Sequence, residues 1–164
     1  MLFRALALLA LAGALSACGF HMRGSGGQFN MPFRSIFLSF ADTSPLGVEL
    51  KRNLRGGDTV IVTDPQKADA QFDVIAEART KTILSLNSQG RVREYSLGYT
   101  LVFKVRDAKG KELLAPTEIA LKRNISFNES QTLAKESEEV LLYRDMQTDL
   151  VQQILRRLAA IKPS

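Results

Sequence analysis

Few residues in this chain could do covalent chemistry. Cys18 is its one cysteine and His21 its one histidine. A Cys–His or Ser–His nucleophile would depend on His21 alone. A Cys/His metal cluster would need about four such ligands. His21 stands three residues after Cys18, at the start of a glycine-rich stretch that offers it no rigid support. Asp73 and Glu77 read as sharing one face of a strand, as a general acid/base pair would. Carboxylates so placed more ordinarily line the solvated side of a sheet. A phosphate loop must join a strand to a helix, and Gly24, Gly26 and Gly27 come before the first strand. The residues therefore point away from an enzyme, and they imply no metal and no cofactor.

Binding chemistry is better represented. Asn87-Ser88-Gln89-Gly90 reads as a turn, and Arg91 and Arg93 follow it. Lys135 falls in the first turns of a long C-terminal helix, where a cation gains nothing from the helix dipole. Basic residues in such places can hold phosphates by charge-assisted hydrogen bonds. Taken alone, they read first as ordinary solvated charges. The formal net charge is +5, and Lys and Arg are spread along the chain without a long basic block. Nucleic acid is not an expected partner. An anionic lipid or polysaccharide suits the charge better.

The N-terminus says where the protein works. Arg4 supplies a positive start, Ala5 to Leu15 is an apolar run, and Ser16 and Ala17 are small. That is the layout of a secretory signal peptide. The run is too short for a membrane-spanning helix, which needs roughly 20 apolar residues, and no later segment qualifies. Leu15-Ser16-Ala17-Cys18 fits the bacterial lipobox. Cleavage before Cys18 would leave its thiol to carry diacylglycerol. Each buried methylene contributes about 0.8 kcal/mol, so several acyl chains hold a protein stably to its membrane. Gly19, rather than an aspartate, follows the cysteine and favours the outer membrane. With the cysteine lipidated no internal disulfide is left, and stability must come from packing.

The elements that position these residues follow from periodicity. Residues 1–17 are the removable leader, and 18–33 are the lipidated cysteine with a flexible tether closed by Pro32. Residues 34–164 make a single domain. Ser35 to Phe40 reads as a strand. Ser44-Pro45 opens a helix that carries Leu46, Leu50 and Leu54 on one face and stops at Gly56-Gly57. Thr59 to Thr63 is a second strand. In the next, Ala70 to Leu86, Phe72, Val74, Ala76 and Ala78 should share a face. From Arg91 to Asp107, Tyr95, Leu97, Tyr99, Leu101, Phe103 and Val105 alternate with Glu94, Ser96, Thr100, Lys104 and Arg106. Period two over such a length means one buried and one polar face. Leu113 to Phe127 follows, with a break or an edge at Pro116.

A helix of about Ser130 to Ile161 ends the chain. Asn128 or Ser130 should cap it, and Asn128 with Gln131 approximates a capping box. Tyr143, Leu150, Ile154, Leu158 and Ile161 form its sheet-facing stripe. The expected fold class is α+β, a two-layer sandwich in the order β-α-β-β-β-β-α. Two helices should pack on one face of a mostly antiparallel four- to five-stranded sheet.

Cys18-Gly19-Phe20-His21-Met22-Arg23-Gly24 resembles the mature start of the LPS-assembly lipoprotein LptE family, with Met22 where leucine is commoner. Glu94-Tyr95 after a glycine turn, Leu133-Ala134-Lys135-Glu136, and Gln153-Ile154-Leu155-Arg156-Arg157-Leu158 are similar to further family patterns. The resemblance implies a non-enzymatic outer-membrane lipoprotein, anchored on the periplasmic side. Such a protein plugs the LptD β-barrel, assists its assembly and binds lipopolysaccharide on its way to the outer leaflet. Lys135 carries over directly as a lipopolysaccharide-binding residue. The family's hairpin arginine precedes the turn glycine, where Ser88 and Gln89 stand here, so Arg91 and Arg93 are the candidates to replace it. The alternative is a structural lipoprotein of another envelope assembly complex without lipopolysaccharide contact.

Overall fold

The computed structural model describes residues 30–162, so the leader, Cys18, His21 and most of the tether lie outside the described residues. Strand β1 (Ser35–Leu38) turns Ile36 and Leu38 into the core. Ser44 then caps helix α1 (Pro45–Leu54), its side chain accepting from the Gly47 N–H while Pro45 takes the first turn. Leu46, Leu50 and Leu54 are the buried stripe of α1. Gly47 sits inside this helix against its propensity because Phe40 leaves no room for a side chain. A Cβ there would lie 2.6 Å from the Phe40 Cβ.

Strand β2 is only Val60–Ile61. Three long strands follow: β3 (Ala70–Leu86), β4 (Val92–Asp107) and β5 (Glu112–Ser126). Tight turns join them, with Gly90 and Gly110 at φ of 76° and 84°, a conformation that glycine adopts without strain. Helix α2 (Thr132–Ala159) completes the order β-α-β-β-β-β-α.

The sheet order is β2-β1-β3-β4-β5. β1 runs parallel to β2 and β3, and β3, β4 and β5 are antiparallel. Leu97, Tyr99, Leu101, Phe103 and Val105 of β4 are fully buried, in the phase expected. They share one core with Phe72, the α1 leucines, and Met146, Leu150, Ile154 and Leu158 of α2. Both helices therefore cover one face, and the other is left open. Phe40, Phe72 and Phe103 stack in a row, with ring centroids 5.4 and 4.6 Å apart. β5 is an edge strand, and Pro116 lies where its register against β4 shifts, a position at which a missing N–H costs little.

Strand β3 departs from plain alternation. Phe72 pairs with Val105 and Val74 with Phe103, but the next pair is Ala76 with Val102, so Ile75 is an extra residue. This bulge inverts the phase of the strand as far as Ile83, where the register shifts again. Ala76 and Ala78 face away from Phe72 and Val74, contrary to the sequence expectation. Glu77, Arg79 and Lys81 come opposite Leu101, Tyr99 and Leu97, on the helix side. Asp73 and Glu77 thus lie on opposite faces and make no acid/base pair. Asp73 accepts from Arg106 Nε at 2.6 Å on the open face, and Glu77 accepts from the Tyr99 hydroxyl at 2.7 Å.

The long helix also begins later than expected. Asn128 accepts from the Ser130 N–H, but this caps one turn of 3₁₀ helix, Glu129–Gln131, rather than α2. Gln131, at the N-cap of α2, makes no side-chain cap bond, so the approximate capping box does not form.

Candidate functional site

Of the three basic residues singled out in the sequence, Arg91 and Arg93 line one cavity, and Lys135 lies at the same end of the molecule. Asn87 builds the turn that presents the first. Its Oδ1 accepts from the N–H groups of Gln89 and Arg91, at 3.0 and 2.9 Å. Its own N–H donates to the Arg91 carbonyl at 2.8 Å. The Phe127 N–H donates to the Arg93 carbonyl at 2.8 Å, so the end of β5 is held beside the start of β4. Tyr95 and Phe127 meet edge-on there, 5.3 Å apart. A cavity of about 280 Å³ opens between Asn87, Arg91, Arg93, Phe127 and Glu129.

Lys135 does not line this cavity. It borders it through Ser126, the neighbour of Phe127, donating to the Ser126 Oγ at 3.0 Å.

Two of the three cations already have partners. Arg91 Nη1 lies 3.3 Å from Glu129 Oε2, with both side chains about two-thirds exposed. Lys135 Nζ lies 2.8 Å from Glu138 Oε2. The exposed Arg91–Glu129 pair contributes at most about 1 kcal/mol, so an arriving phosphate can displace it, whereas the Lys135 side chain is only 17% exposed. Arg93 makes no ion pair among the described residues. Sequence reasoning missed both carboxylates. The i,i+3 spacing of Lys135 and Glu138 could have shown one. The Arg91–Glu129 pair spans the β4–β5 hairpin and has no local signal.

Large apolar side chains lie exposed around the same end. Leu86, next to the turn, is 55% exposed, and Leu133, one half-turn before Lys135, is 81% exposed. Ile83 and Leu84 on β3 and Val140 and Leu141 on α2 are exposed as well.

A polar layer fixes the helix beneath the site. Arg79 lies 4.5 Å from the Tyr99 ring and 5.4 Å from the Tyr143 ring. Its Nη2 donates to the Tyr99 hydroxyl and to Gln147 Oε1. Lys81 Nζ donates to Glu139 Oε2 at 2.6 Å and sits over Tyr95. The Glu139 bond raises the Lys81 pKa. The Tyr143 hydroxyl donates to the Thr80 carbonyl at 2.8 Å. Gln147 and Thr148 both donate to the carboxylate of Glu49, which ties α2 to α1. Burial, and then the bond to Glu77, pushes the Tyr99 phenol up to about 12. Among the described residues no group of three or more His, Cys, Asp or Glu could hold a metal ion, and no helix is long and apolar enough to cross a membrane.

Known proteins share this architecture. The chain is 37% identical to an uncharacterized lipoprotein B from Nitrosomonas europaea, solved by solution NMR. That likeness covers 87% of this chain and 91% of the other, with a TM-score of 0.73. The rare lipoprotein B from Shewanella oneidensis is 26% identical, with a TM-score of 0.65 over 77% of this chain and 94% of that one. The fold and these likenesses define the class, a bacterial lipoprotein with a two-layer α+β domain. Residues 33–158 match the family model described as "LptE: Lipopolysaccharide-assembly", and the chain belongs to that family. The LPS-assembly lipoprotein LptE of Pectobacterium atrosepticum is 29% identical over 97% of this chain and 84% of its own length. The one from Yersinia enterocolitica is 28% identical over 98% and 75%.

Proposed function

We propose that this chain is the lipoprotein subunit that plugs the LptD barrel in the outer membrane and assists its assembly. It binds lipopolysaccharide with Arg91, Arg93 and Lys135 while that lipid moves to the outer leaflet, and it catalyses nothing. The observation that carries this reading is the end formed by the β3–β4 turn and the start of α2. Three cations stand there, with the side chains of Leu86 and Leu133 exposed nearby. Lipopolysaccharide is an anionic amphiphile with phosphates for the first and acyl chains for the second. Arg93, the cation without a counter-charge, would be the main phosphate ligand.

The plug role is supported by the open face of the sheet. Glu94, Ser96, Thr100, Lys104 and Arg106 line it between covered strands, and none is fully buried. Such a face suits the polar lumen of an outer-membrane barrel. Cys18 would carry the acyl chains that keep the domain at the periplasmic side of that membrane.

Purification from outer membranes in mild detergent tests the partner. LptD should accompany the protein, and recovery of a different envelope complex in its place would favour the alternative reading. Arg93→Asp should weaken lipopolysaccharide binding by about tenfold or more, the loss expected for one charge-assisted hydrogen bond. Lys135→Asp should act in the same direction. Unchanged affinity in both variants, with the fold intact by circular dichroism, would return these residues to plain surface charge.

A further inference from the structure

A second groove lies at the opposite end, between the start of β5 and the end of α2. Its cavity is about 470 Å³, walled by Leu113, Leu114 and Ile161, with Arg157 and Lys162 on its border. The Arg157 Nη1 is buried and has no hydrogen-bond partner. A buried guanidinium N–H left unpaired costs free energy, and native proteins rarely leave one.

Among the described residues no carboxylate lines this groove, and the two in the adjoining cavity, Asp69 and Asp107, already accept hydrogen bonds. Asp69 Oδ2 accepts from the N–H groups of Arg34 and Ser35, and Asp107 Oδ1 from those of Lys109 and Lys111. Asp149 pairs with Arg123. The end of α2 is the negative pole of its dipole, but Ala160 and Ile161 donate N–H groups to its last carbonyls. The two cations also offset that pole. The groove is therefore cationic, walled by aliphatic side chains, and without an acid of its own.

Its position says what it meets. Pro32, Phe33 and Arg34 line an adjoining cavity that shares Leu113, Ile161 and Lys162 with the groove. The described chain thus begins at this same end. Cys18 lies twelve residues before Asn30, at most about 40 Å of fully extended chain. An acylated Cys18 keeps this end close to the leaflet that holds its chains.

We propose that the groove holds the phosphate of an anionic phospholipid from that leaflet. Arg157 and Lys162 would meet the phosphate, and Leu113, Leu114 and Ile161 the glycerol and first methylenes. This rests on the lipoprotein reading of Cys18, and the groove is distinct from the Arg91–Arg93–Lys135 end.

The test uses the full acylated chain in vesicles of phosphatidylcholine, with and without phosphatidylglycerol. Amide hydrogen exchange is read over residues 111–117 and 156–162. Phosphatidylglycerol should slow exchange there about tenfold, the equivalent of one charge-assisted hydrogen bond. Arg157→Gln should abolish the difference, and Lys162→Gln, which alters only an exposed side chain, should reduce it. Equal exchange in both vesicle types would overturn the proposal. So would a difference that survives both substitutions, or the same protection from inorganic phosphate without vesicles, which would assign the groove to a free anion. The mass of the Cys18 peptide separates the two ideas. An acylated peptide with an unprotected groove sinks this proposal alone. An unmodified peptide sinks the anchor, and the vesicle difference still decides the groove.

Discussion

Arg91, Arg93 and Lys135 have different electrostatic surroundings although they share one end of the fold. A ligand at Arg91 would have to compete with Glu129. Glu129→Gln should therefore raise lipopolysaccharide affinity by about threefold, within the range of an exposed ion pair, as direct binding titrations would show. Arg157 behaves in the opposite sense. Arg157→Met removes an unpaired buried N–H, so it should raise the melting temperature by about 3 °C while costing the phospholipid response. A melting temperature that falls would mean that Arg157 has a partner within the fold. Tyr99 adds a pH signature. The fold favours its neutral phenol, so its contribution is complete below the unfolded value of about 10 and is lost as pH rises through about 12. The stability of the wild type should fall across that window on the order of 2 kcal/mol more than that of Tyr99→Phe, as denaturant titrations at each pH would show. Composition and motif made the three basic residues legible. Their counter-charges were not, because Arg91 and Glu129 are 38 residues apart and meet only when β5 returns beside β4.

At the level of elements, α1 shows propensity yielding to packing. Alanine is the better helix former by about 1 kcal/mol, yet Gly47→Ala should destabilise the protein by about 1–3 kcal/mol, because the new methyl meets Phe40. Thermal melts would show this, and trimming the neighbour in Phe40→Leu/Gly47→Ala should recover part of the loss. The alternation of β4, the leucine stripe of α1 and the buried face of α2 were readable from residue spacing, since each has a strict period against one continuous core. β3 was readable only as far as Val74. The bulge at Ile75 has no glycine or proline to announce it, and Ala76 to Thr82 is polar or small on both faces. Its effect is visible only in three dimensions, where Glu77, Arg79 and Lys81 become the layer that grips Tyr99, Tyr143 and Glu139. The late start of α2 has a similar cause. Asn128 is a good cap by type, but the chain needs one tighter turn to pass from the edge of the sheet onto its face.

For the whole molecule, the two proposed sites fall at opposite ends. The incoming chain, the β4–β5 turn and the last turn of α2 share one end, and the β3–β4 turn and the first turn of α2 share the other. Removing residues 24–29 should leave lipopolysaccharide binding in detergent unchanged, because the described chain begins at the far end. It should lower the yield of the assembled barrel complex in cells, measured as LptD recovered with the protein. Impaired binding in detergent would argue against the separation. The separation also sets a length. β4 runs through 16 residues between the ends, about 50 Å at the rise of an extended strand. The apolar band of an outer-membrane barrel is about 25 Å tall. Seated in such a barrel, the β3–β4 hairpin is a ruler about twice the thickness it has to measure. With its foot among periplasmic headgroups, its tip would reach well past the opposite edge of that band.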